Sequence, residues 1–275
     1  MSAEPLPAYR VKARNTSATS ENKIHDDVTA RRLGFRGGLV PGVTVYAYLT
    51  EPLVAGLGSA WLERGTATVR FAKPVFESEE VAVTGAVTAR DPRGASMALT
   101  GATAAEPDAA TLAATLPAGS PTPANLALYR AAPLPDPRPE ATREHLGALD
   151  TLGTPVATYD EAAAADWLDK VADPLPLYRG PRGWVHPAFF LHLANRALSL
   201  NVRLGPWIHA GSVVRHLGGA RVGETLATRG RVRSLFEKKG HQFVEADLVI
   251  VAGDRPRPVA HVVHTAIYQL APPAR

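Results

Sequence analysis

Two long apolar stretches stand out from an otherwise mixed pattern of hydrophobic and polar residues. Residues 43–57 (VTVYAYLTEPLVAGL) are apolar nearly all round at helical spacing, and residues 186–202 (HPAFFLHLANRALSLNV) form a second apolar stretch. Because a helix that is apolar on every side is usually buried, each stretch predicts a central helix. Pro41 suits the first turn of the earlier helix, whereas Pro52 inside it predicts a kink or an early end.

Alternating apolar and polar positions predict β-strands before and after both helices. One strand candidate precedes each helix, at 9–15 and 154–160, and four follow each of them: 65–75, 79–90, 95–105 and 110–116 in the first half, and 207–217, 224–238, 241–253 and 258–270 in the second. The tetrapeptides DPRG and GDRP are typical of turns between such strands. The stretch EAAAADWLDKV predicts a further helix, with Asp160 as its cap.

The two halves repeat one order of elements, which indicates an internal duplication. Residues 73–87 and 220–232 both contain a Val, then a Glu, then an alternation that ends in Gly and Val. We therefore predict an α+β chain with an N-terminal module at 1–118, a proline- and alanine-rich linker at 119–140 and a C-terminal module at 141–275. Each module is expected to wrap an antiparallel sheet around one long helix.

Composition narrows the chemistry that this sequence can support. The 275 residues include no cysteine, which excludes disulfides, cysteine-bound zinc and a thiol nucleophile. The formal net charge is +4, but the arginines are scattered, so we expect no nucleic-acid partner. No apolar run is long enough to cross a bilayer, and the first residues lack a signal-peptide pattern, so we expect a cytoplasmic protein with no membrane association.

The candidate chemistry lies in residues 20–42 (SENKIHDDVTARRLGFRGGLVPG), directly before the first apolar helix. This stretch resembles the motif of MaoC-like hydratases and dehydratases, the (R)-specific enoyl-CoA hydratase family. The family pattern is Asp-x-Asn-Pro-x-His-x-Asp-x-x-Ala-x-x-x-Gly-Phe, followed after a short gap by His-Gly at the start of the central helix. The matching positions here are Asn22, His25, Asp27, Ala30, Gly34, Phe35 and Gly42. The resemblance implies a double hotdog fold over nearly the whole chain.

Three positions depart from the family pattern. Ser20 stands where the family has its catalytic Asp, Lys23 replaces the Pro after the Asn, and Pro41 replaces the His that opens the helix. A serine hydroxyl cannot act as a general base at neutral pH. The departures therefore predict hydratase chemistry that is weakened or lost.

The resemblance also assigns roles to individual residues. Hydration of an enoyl thioester needs a base for the water, an acid for the α-carbon and hydrogen-bond donors for the thioester oxygen. His25 would supply the acid and base, and the N–H of Gly42, at the positive end of a helix, would hold the oxygen. Asn22 and Ser20 would position the water or the ligand. The expected substrate-binding residues are Phe35, Val40, Arg36 and Lys73, of which the last two could reach CoA phosphates at the pocket rim.

The second half carries a faded copy of the motif. Asp173 lies five residues before Tyr178, so the acid is kept there and the histidine is not. Pro187 stands where the first half has Gly42, and proline has no N–H. We therefore expect only the first half to polarise a thioester carbonyl, and we expect Asp173 not to reach His25.

Three functions stay open on these residues. The first is a MaoC-like hydratase or dehydratase that acts on an acyl thioester with no metal and no redox cofactor. The second is a non-catalytic acyl-CoA-binding protein, which the residues Ser20, Pro41 and Pro187 favour. A thioesterase ranks lower because no carboxylate occurs between Gly34 and Thr50. The partner in each case is a small acyl thioester, and the chain is expected to work as a monomeric pseudo-dimer or as a homodimer.

Overall fold

A computed structural model describes residues 4–272, which form eleven β-strands and six α-helices. The strands are β1 (Glu4–Pro5), β2 (Tyr9–Lys12), β3 (Thr66–Phe71), β4 (Glu80–Asp91), β5 (Gly94–Ala102), β6 (Ala110–Pro117), β7 (Val156–Thr158), β8 (Ile208–His216), β9 (Thr225–Lys238), β10 (His241–Ala252) and β11 (Arg257–Gln269). The helices are α1 (Asp27–Arg32), α2 (Gly42–Leu57), α3 (Ser59–Arg64), α4 (Arg143–Gly147), α5 (Glu161–Val171) and α6 (Pro187–Ser199). The predicted central helices are therefore present as α2 and α6.

The first central helix continues through Pro52 to Leu57, so the prediction of an early end at that proline is wrong. Proline in a helix interior removes one hydrogen bond and costs about 3 kcal/mol. The side chains of Tyr46, Leu49 and Leu53 are fully buried, and burial of each contributes about 1.5–3 kcal/mol. Packing around α2 therefore outweighs the local penalty at Pro52.

All the strands belong to one antiparallel sheet, in the order β1-β4-β5-β6-β3-β8-β11-β10-β9-β7, with β2 paired to β4. Strands β3 and β8 meet in the middle, where Thr68 lies opposite Val213. Counted outward from this pair, the order β6, β5, β4 on one side corresponds to β11, β10, β9 on the other. The two halves thus repeat one topology, and the β3–β8 pairing brings the beginning of β8 beside the beginning of α2.

The proline-rich segment between the halves is tied down by side-chain contacts. Its regular structure is one turn of 3-10 helix at Leu126–Leu128. The hydroxyl of Tyr129 donates to Asp247 Oδ1 at 3.0 Å. Arg138 donates to the carbonyl of Ser199 at 2.7 Å and pairs with Glu21 at 2.9 Å. The segment therefore connects the second half of the chain to the loop that precedes His25.

Two smaller observations complete the fold. The carboxylate of Asp160 accepts a hydrogen bond from the N–H of Ala163 at 2.8 Å, so the predicted cap of α5 is confirmed. Across residues 4–272, no helix combines the length and the apolar character that a bilayer span requires.

Candidate active site

A cavity of about 280 Å³, here called the first chamber, lies at the N-terminal end of α2. Both halves of the chain contribute to its walls. The polar lining residues are Asn22, His25, Lys73, Asn195, His209 and His241, and the apolar lining includes Phe35, Leu39, Val40, Val45, Phe71, Val75, Ile208, Ile267 and Leu270. No Asp or Glu is among the described residues of this lining. The chamber is thus an apolar pocket with a few polar groups.

His25 presents a neutral imidazole to this chamber. It ends a short 3-10 helix, Lys23–His25, and its Nδ1 lies 2.7 Å from the carbonyl oxygen of Leu39. Because a carbonyl oxygen only accepts, Nδ1 carries the proton and Nε2 carries the lone pair. Burial lowers the pKa of His25 below its ordinary value of 6.5, and the hydrogen bond to Leu39 offsets this only in part. His25 can therefore act as a base through Nε2 at neutral pH.

Asn22 is held next to His25 by the backbone of the second half. Its Oδ1 accepts from the N–H of Trp207 at 3.1 Å, and its Nδ2 donates to the carbonyl of Trp207 at 2.9 Å. These two contacts fix the orientation of the amide. Nδ2 also lies 3.4 Å from Nε2 of His25. Asn22 therefore positions a hydrogen-bond donor beside the lone pair of His25.

Gly42 begins α2 and faces the first chamber. No acceptor among residues 4–272 bonds its N–H, as is usual for the first residues of a helix. A Cβ at this position would lie 3.1 Å from both Nδ1 of His209 and Cε2 of Phe71. The helix N-terminus favours negative charge. The position thus combines an N–H without a partner among the described residues with close packing against His209 and Phe71 that favours glycine.

A row of buried polar groups behind Gly42 was not predicted from the sequence. Nε2 of His209 lies 2.9 Å from Oγ of Ser212, which lies 3.0 Å from Nδ1 of His264. In a regular strand, residues 209 and 212 point to opposite faces. A register shift in the β8–β11 pairing, with Gly211 opposite Thr265 but His209 opposite Ala266, brings both side chains to the buried face. Strand alternation alone could not have indicated this contact.

The structure brings most of the predicted binding residues together. Phe35, Val40 and Lys73 line the first chamber, and Nζ of Lys73 lies 3.6 Å from Glu106 at its exposed edge. Arg36 is not part of the lining: its guanidinium lies 4.1 Å from the ring centre of Phe76 and pairs with Glu79. A nearer ring and carboxylate thus hold Arg36 outside this lining, and its reach toward CoA phosphates at the pocket rim stays a prediction.

Ser20 does not line the first chamber. Its Oγ donates to the carbonyl of Asn22 at 3.3 Å. It lines an adjoining cavity of about 180 Å³, here called the second chamber, together with Ser17, Glu21, Val43, His192, Arg196, Ser199 and Leu204. Both chambers share the lining residues Asn22, His25, Pro41, Asn195 and Trp207. His25 thus stands at the junction of the two chambers, and Ser20 lies on the far side.

The sequence did not indicate the partner of the acid in the second half. Asp173 has a histidine partner, because its Oδ2 lies 3.1 Å from Nε2 of the fully buried His186. Nδ1 of His186 accepts from the N–H of Ala188 at 3.1 Å and so caps α6. Asp173 therefore bonds His186. It does not contact His25, in agreement with the prediction that Asp173 would not reach that residue. The pair lines neither chamber, and its role is to hold the start of α6.

Gly38 sets the position of His25, and its replacement gives a first test. A Cβ at Gly38 would overlap the carbonyl oxygen of His25, while the Gly38 N–H donates to Asp27 Oδ1 at 2.8 Å. We expect Gly38→Ala to lower the free energy of unfolding by about 1–3 kcal/mol, because overpacking costs that much. Denaturant unfolding measures this loss. Gly119→Ala is the control because open space surrounds that position; equal stability of the two variants would contradict the expectation.

Among residues 4–272, no group of three or more His, Asp or Glu side chains is arranged to hold a metal ion. His261 bonds Asp247 at 2.7 Å at the sheet surface, whereas His264 is fully buried on the other face. The two histidines therefore face apart.

Comparisons with known proteins identify the fold. No protein-family model matches the sequence, and no curated protein matches it. Among solved structures, a MaoC domain dehydratase from Chloroflexus aurantiacus superposes with a TM-score of 0.64 at 12% identity, over 98% of this chain and 95% of that one. A conserved protein from Mycobacterium tuberculosis with a double hotdog fold gives 0.66 at 14% identity, over 95% and 96%. An oleoyl thioesterase from Lactobacillus plantarum gives 0.55 at 13% identity, over 98% of both chains.

These likenesses confirm the predicted double hotdog fold. The similar structures include MaoC-like dehydratases, as the motif at residues 20–42 indicates, and also thioesterases. Identities of 12–14% are too low to carry the activity of any of these proteins over to this chain.

Proposed function

We propose that this double hotdog protein is a hydratase or dehydratase of acyl thioesters. The observation that carries the proposal is the arrangement around His25. An imidazole whose Nε2 carries the lone pair, with the Asn22 amide 3.4 Å away, opens into the same apolar chamber as the unbonded N–H of Gly42 at a helix N-terminus. These are a base and an oxyanion donor, the two groups that addition of water to an enoyl thioester needs most.

The proposed reaction follows from these two groups. Nε2 of His25 takes a proton from water as the water oxygen bonds the β-carbon, and the electrons of the double bond move to the thioester oxygen at the Gly42 N–H. The Nε2–H of His25 then returns a proton to the α-carbon, and the carbonyl reforms. The sum is one water added across the double bond, and dehydration is the reverse. The reaction involves no net oxidation or reduction, so it needs no redox cofactor.

Asn22 takes part of the role that a carboxylate has in the family motif. Its Nδ2 donates near Nε2 of His25 and can hold the oxygen of the attacking water. It cannot accept a proton. Loss of one member of an acid–base pair lowers a rate by roughly 100- to 10,000-fold, so we expect slow turnover.

The first test is an absorbance assay. The pure protein is mixed with crotonyl-CoA or a longer trans-2-enoyl-CoA, and the loss of enoyl absorbance is followed. We expect hydration that is measurable above the uncatalysed rate and needs no added metal or cofactor. Turnover of neither substrate by a folded protein would exclude the proposed activity for unbranched enoyl chains.

Binding without turnover is the second candidate, and one observation favours it. No carboxylate lines the first chamber within the described part of the chain, so His25 has no acidic partner there. Saturable binding of butanoyl-CoA, measured by calorimetry, with no loss of crotonyl-CoA absorbance would support this candidate. Release of free CoA thiol from either ester would instead indicate a thioesterase.

A further inference from the structure

The second chamber contains a cation that no group among the described residues neutralises. Arg196 lies on α6 and is only partly exposed, and none of its side-chain nitrogens forms a hydrogen bond or ion pair within residues 4–272. Its Nε is fully buried without a partner. Because a buried charged group is rarely left unpaired, an arginine with this buried Nε beside a chamber is suited to bind an anionic ligand there.

Other charges around the chamber do not supply that anion. Glu21 is the acidic lining residue, and Arg138 already holds it through two hydrogen bonds of 2.9 and 3.3 Å. His192 lies on the same helix, and burial, with Arg196 nearby, lowers its pKa to about 4. His192 is therefore neutral at pH 7. The remaining polar lining comes from Ser17, Ser20, Ser199, Asn22, His25 and the Asn195 amide, whose Oδ1 has no partner among the described residues.

The arrangement of the two chambers determines which part of a ligand meets Arg196. Gly42 and Lys73 line only the first chamber, His25 lines both, and Arg196 lines only the second. If the thioester oxygen lies at Gly42 and the β-carbon at His25, the carrier extends past Lys73 at the exposed edge. The acyl carbons beyond the β-carbon then enter the second chamber.

We propose that the second chamber binds an anionic group at the far end of the acyl chain, with Arg196 as its partner, so that the substrate is a short acyl thioester with a terminal carboxylate. This rests on the proposed function for the direction of the chain. The guanidinium fork matches a carboxylate in geometry as well as in charge. The volume of about 180 Å³ fits a short chain.

The test compares matched substrates that differ only at the terminus: trans-2-hexenedioyl-CoA against trans-2-hexenoyl-CoA, and the five-carbon pair. We expect the wild type to prefer the dicarboxylic ester by at least about tenfold in kcat/KM. Arg196→Met keeps the apolar stem and should lower kcat/KM for that ester by roughly 10- to 100-fold, mainly through KM. Its turnover of hexenoyl-CoA should change by less than about threefold, which also reports that the variant is folded.

Two further variants test whether the effect depends on the guanidinium geometry and on the position of Arg196. Arg196→Lys keeps the charge but loses the fork and should fall between the wild type and Arg196→Met. Arg229→Met is the matched control, because Arg229 on β9 also has a buried, unpartnered Nε but lines neither chamber. It should leave the preference unchanged.

Three outcomes would overturn the inference. An equal loss on both esters in Arg196→Met would mean that Arg196 binds the carrier phosphates, and a wild-type preference for hexenoyl-CoA would mean that the chamber takes no anion. If neither ester is hydrated, calorimetry with hexanedioyl-CoA and hexanoyl-CoA separates the two proposals. Tighter binding of the diacid that depends on Arg196 would keep this inference while the hydratase proposal fails, and equal binding would remove the inference.

Discussion

Glutamine in place of His25 lowers kcat/KM for hydration of crotonyl-CoA by at least about 100-fold, with little change in KM. The reason is that Nε2 of His25 is the proposed acid and base of the first chamber, and general acid–base catalysis contributes roughly 100- to 10,000-fold. Glutamine keeps a hydrogen-bonding side chain of similar size but cannot exchange a proton. Steady-state kinetics on the wild type and on His25→Gln measure the effect.

The pH profile distinguishes this role from a structural one. Burial lowers the pKa of His25 below 6.5, so the neutral base persists at pH values where an exposed histidine is already protonated. We expect kcat/KM to be level above pH 6.5 and to fall tenfold per pH unit only below the lowered pKa. His145→Gln, a change at an exposed histidine, is the control. Retention of hydration within threefold in His25→Gln, with unchanged circular dichroism, would refute the assignment.

The free energy of unfolding falls steeply below pH 6, because three buried histidines are held neutral. Burial lowers the pKa of His216 and of His264 to about 3, and it lowers that of His209 well below 6.5. In the unfolded chain these histidines are therefore protonated as the pH falls through about 6.5, whereas in the folded chain they stay neutral. Each such group removes about 1.4 kcal/mol per pH unit on acidification. Together they remove about 4 kcal/mol per unit, which is large against a usual total of about 5–15 kcal/mol.

His216→Phe isolates one of these contributions. Both ring nitrogens of His216 are buried without partners, and the ring packs against Trp61 and Phe190 at centroid distances of 4.7 and 6.0 Å. Phenylalanine keeps the ring and removes two unsatisfied polar atoms, so we expect stability at pH 7 to be equal or higher. Urea unfolding between pH 6 and 4 should show a slope lower by about 1.4 kcal/mol per pH unit, since the unfolded histidine is mostly protonated there. An unchanged slope would show that His216 does not titrate on unfolding.

Much of the fold was predictable from local pattern. The strands from β3 to β6 and from β8 to β11 lie where alternation predicts them, and Asp160 caps α5. These features depend on residues within a few positions of one another, so a short window contains their physical cause. Pro52 is the exception, because burial contributed by distant strands keeps α2 helical there.

The candidate site, like the fold, has a part that local sequence indicates and a part that depends on distant residues. Residues 20–42 are continuous, so the motif by itself indicates His25, Asn22 and Gly42. The contacts of Arg36 could not be predicted, because its partners, Phe76 and Glu79, lie about forty residues away and spacing carries no information about them.

The sequence by itself determined the element order, the internal duplication and the local motif that contains the candidate base, because periodicity and turn chemistry act over short distances. Only the tertiary structure decided what surrounds that base. The β3–β8 pairing sets Trp207 against Asn22, and the irregular register near Gly211 turns His209 toward Gly42. The packing of α6 adds Asn195 and Arg196. These contacts join residues about 165 to 185 positions apart, and only cooperative burial of the two halves in one sheet brings them together.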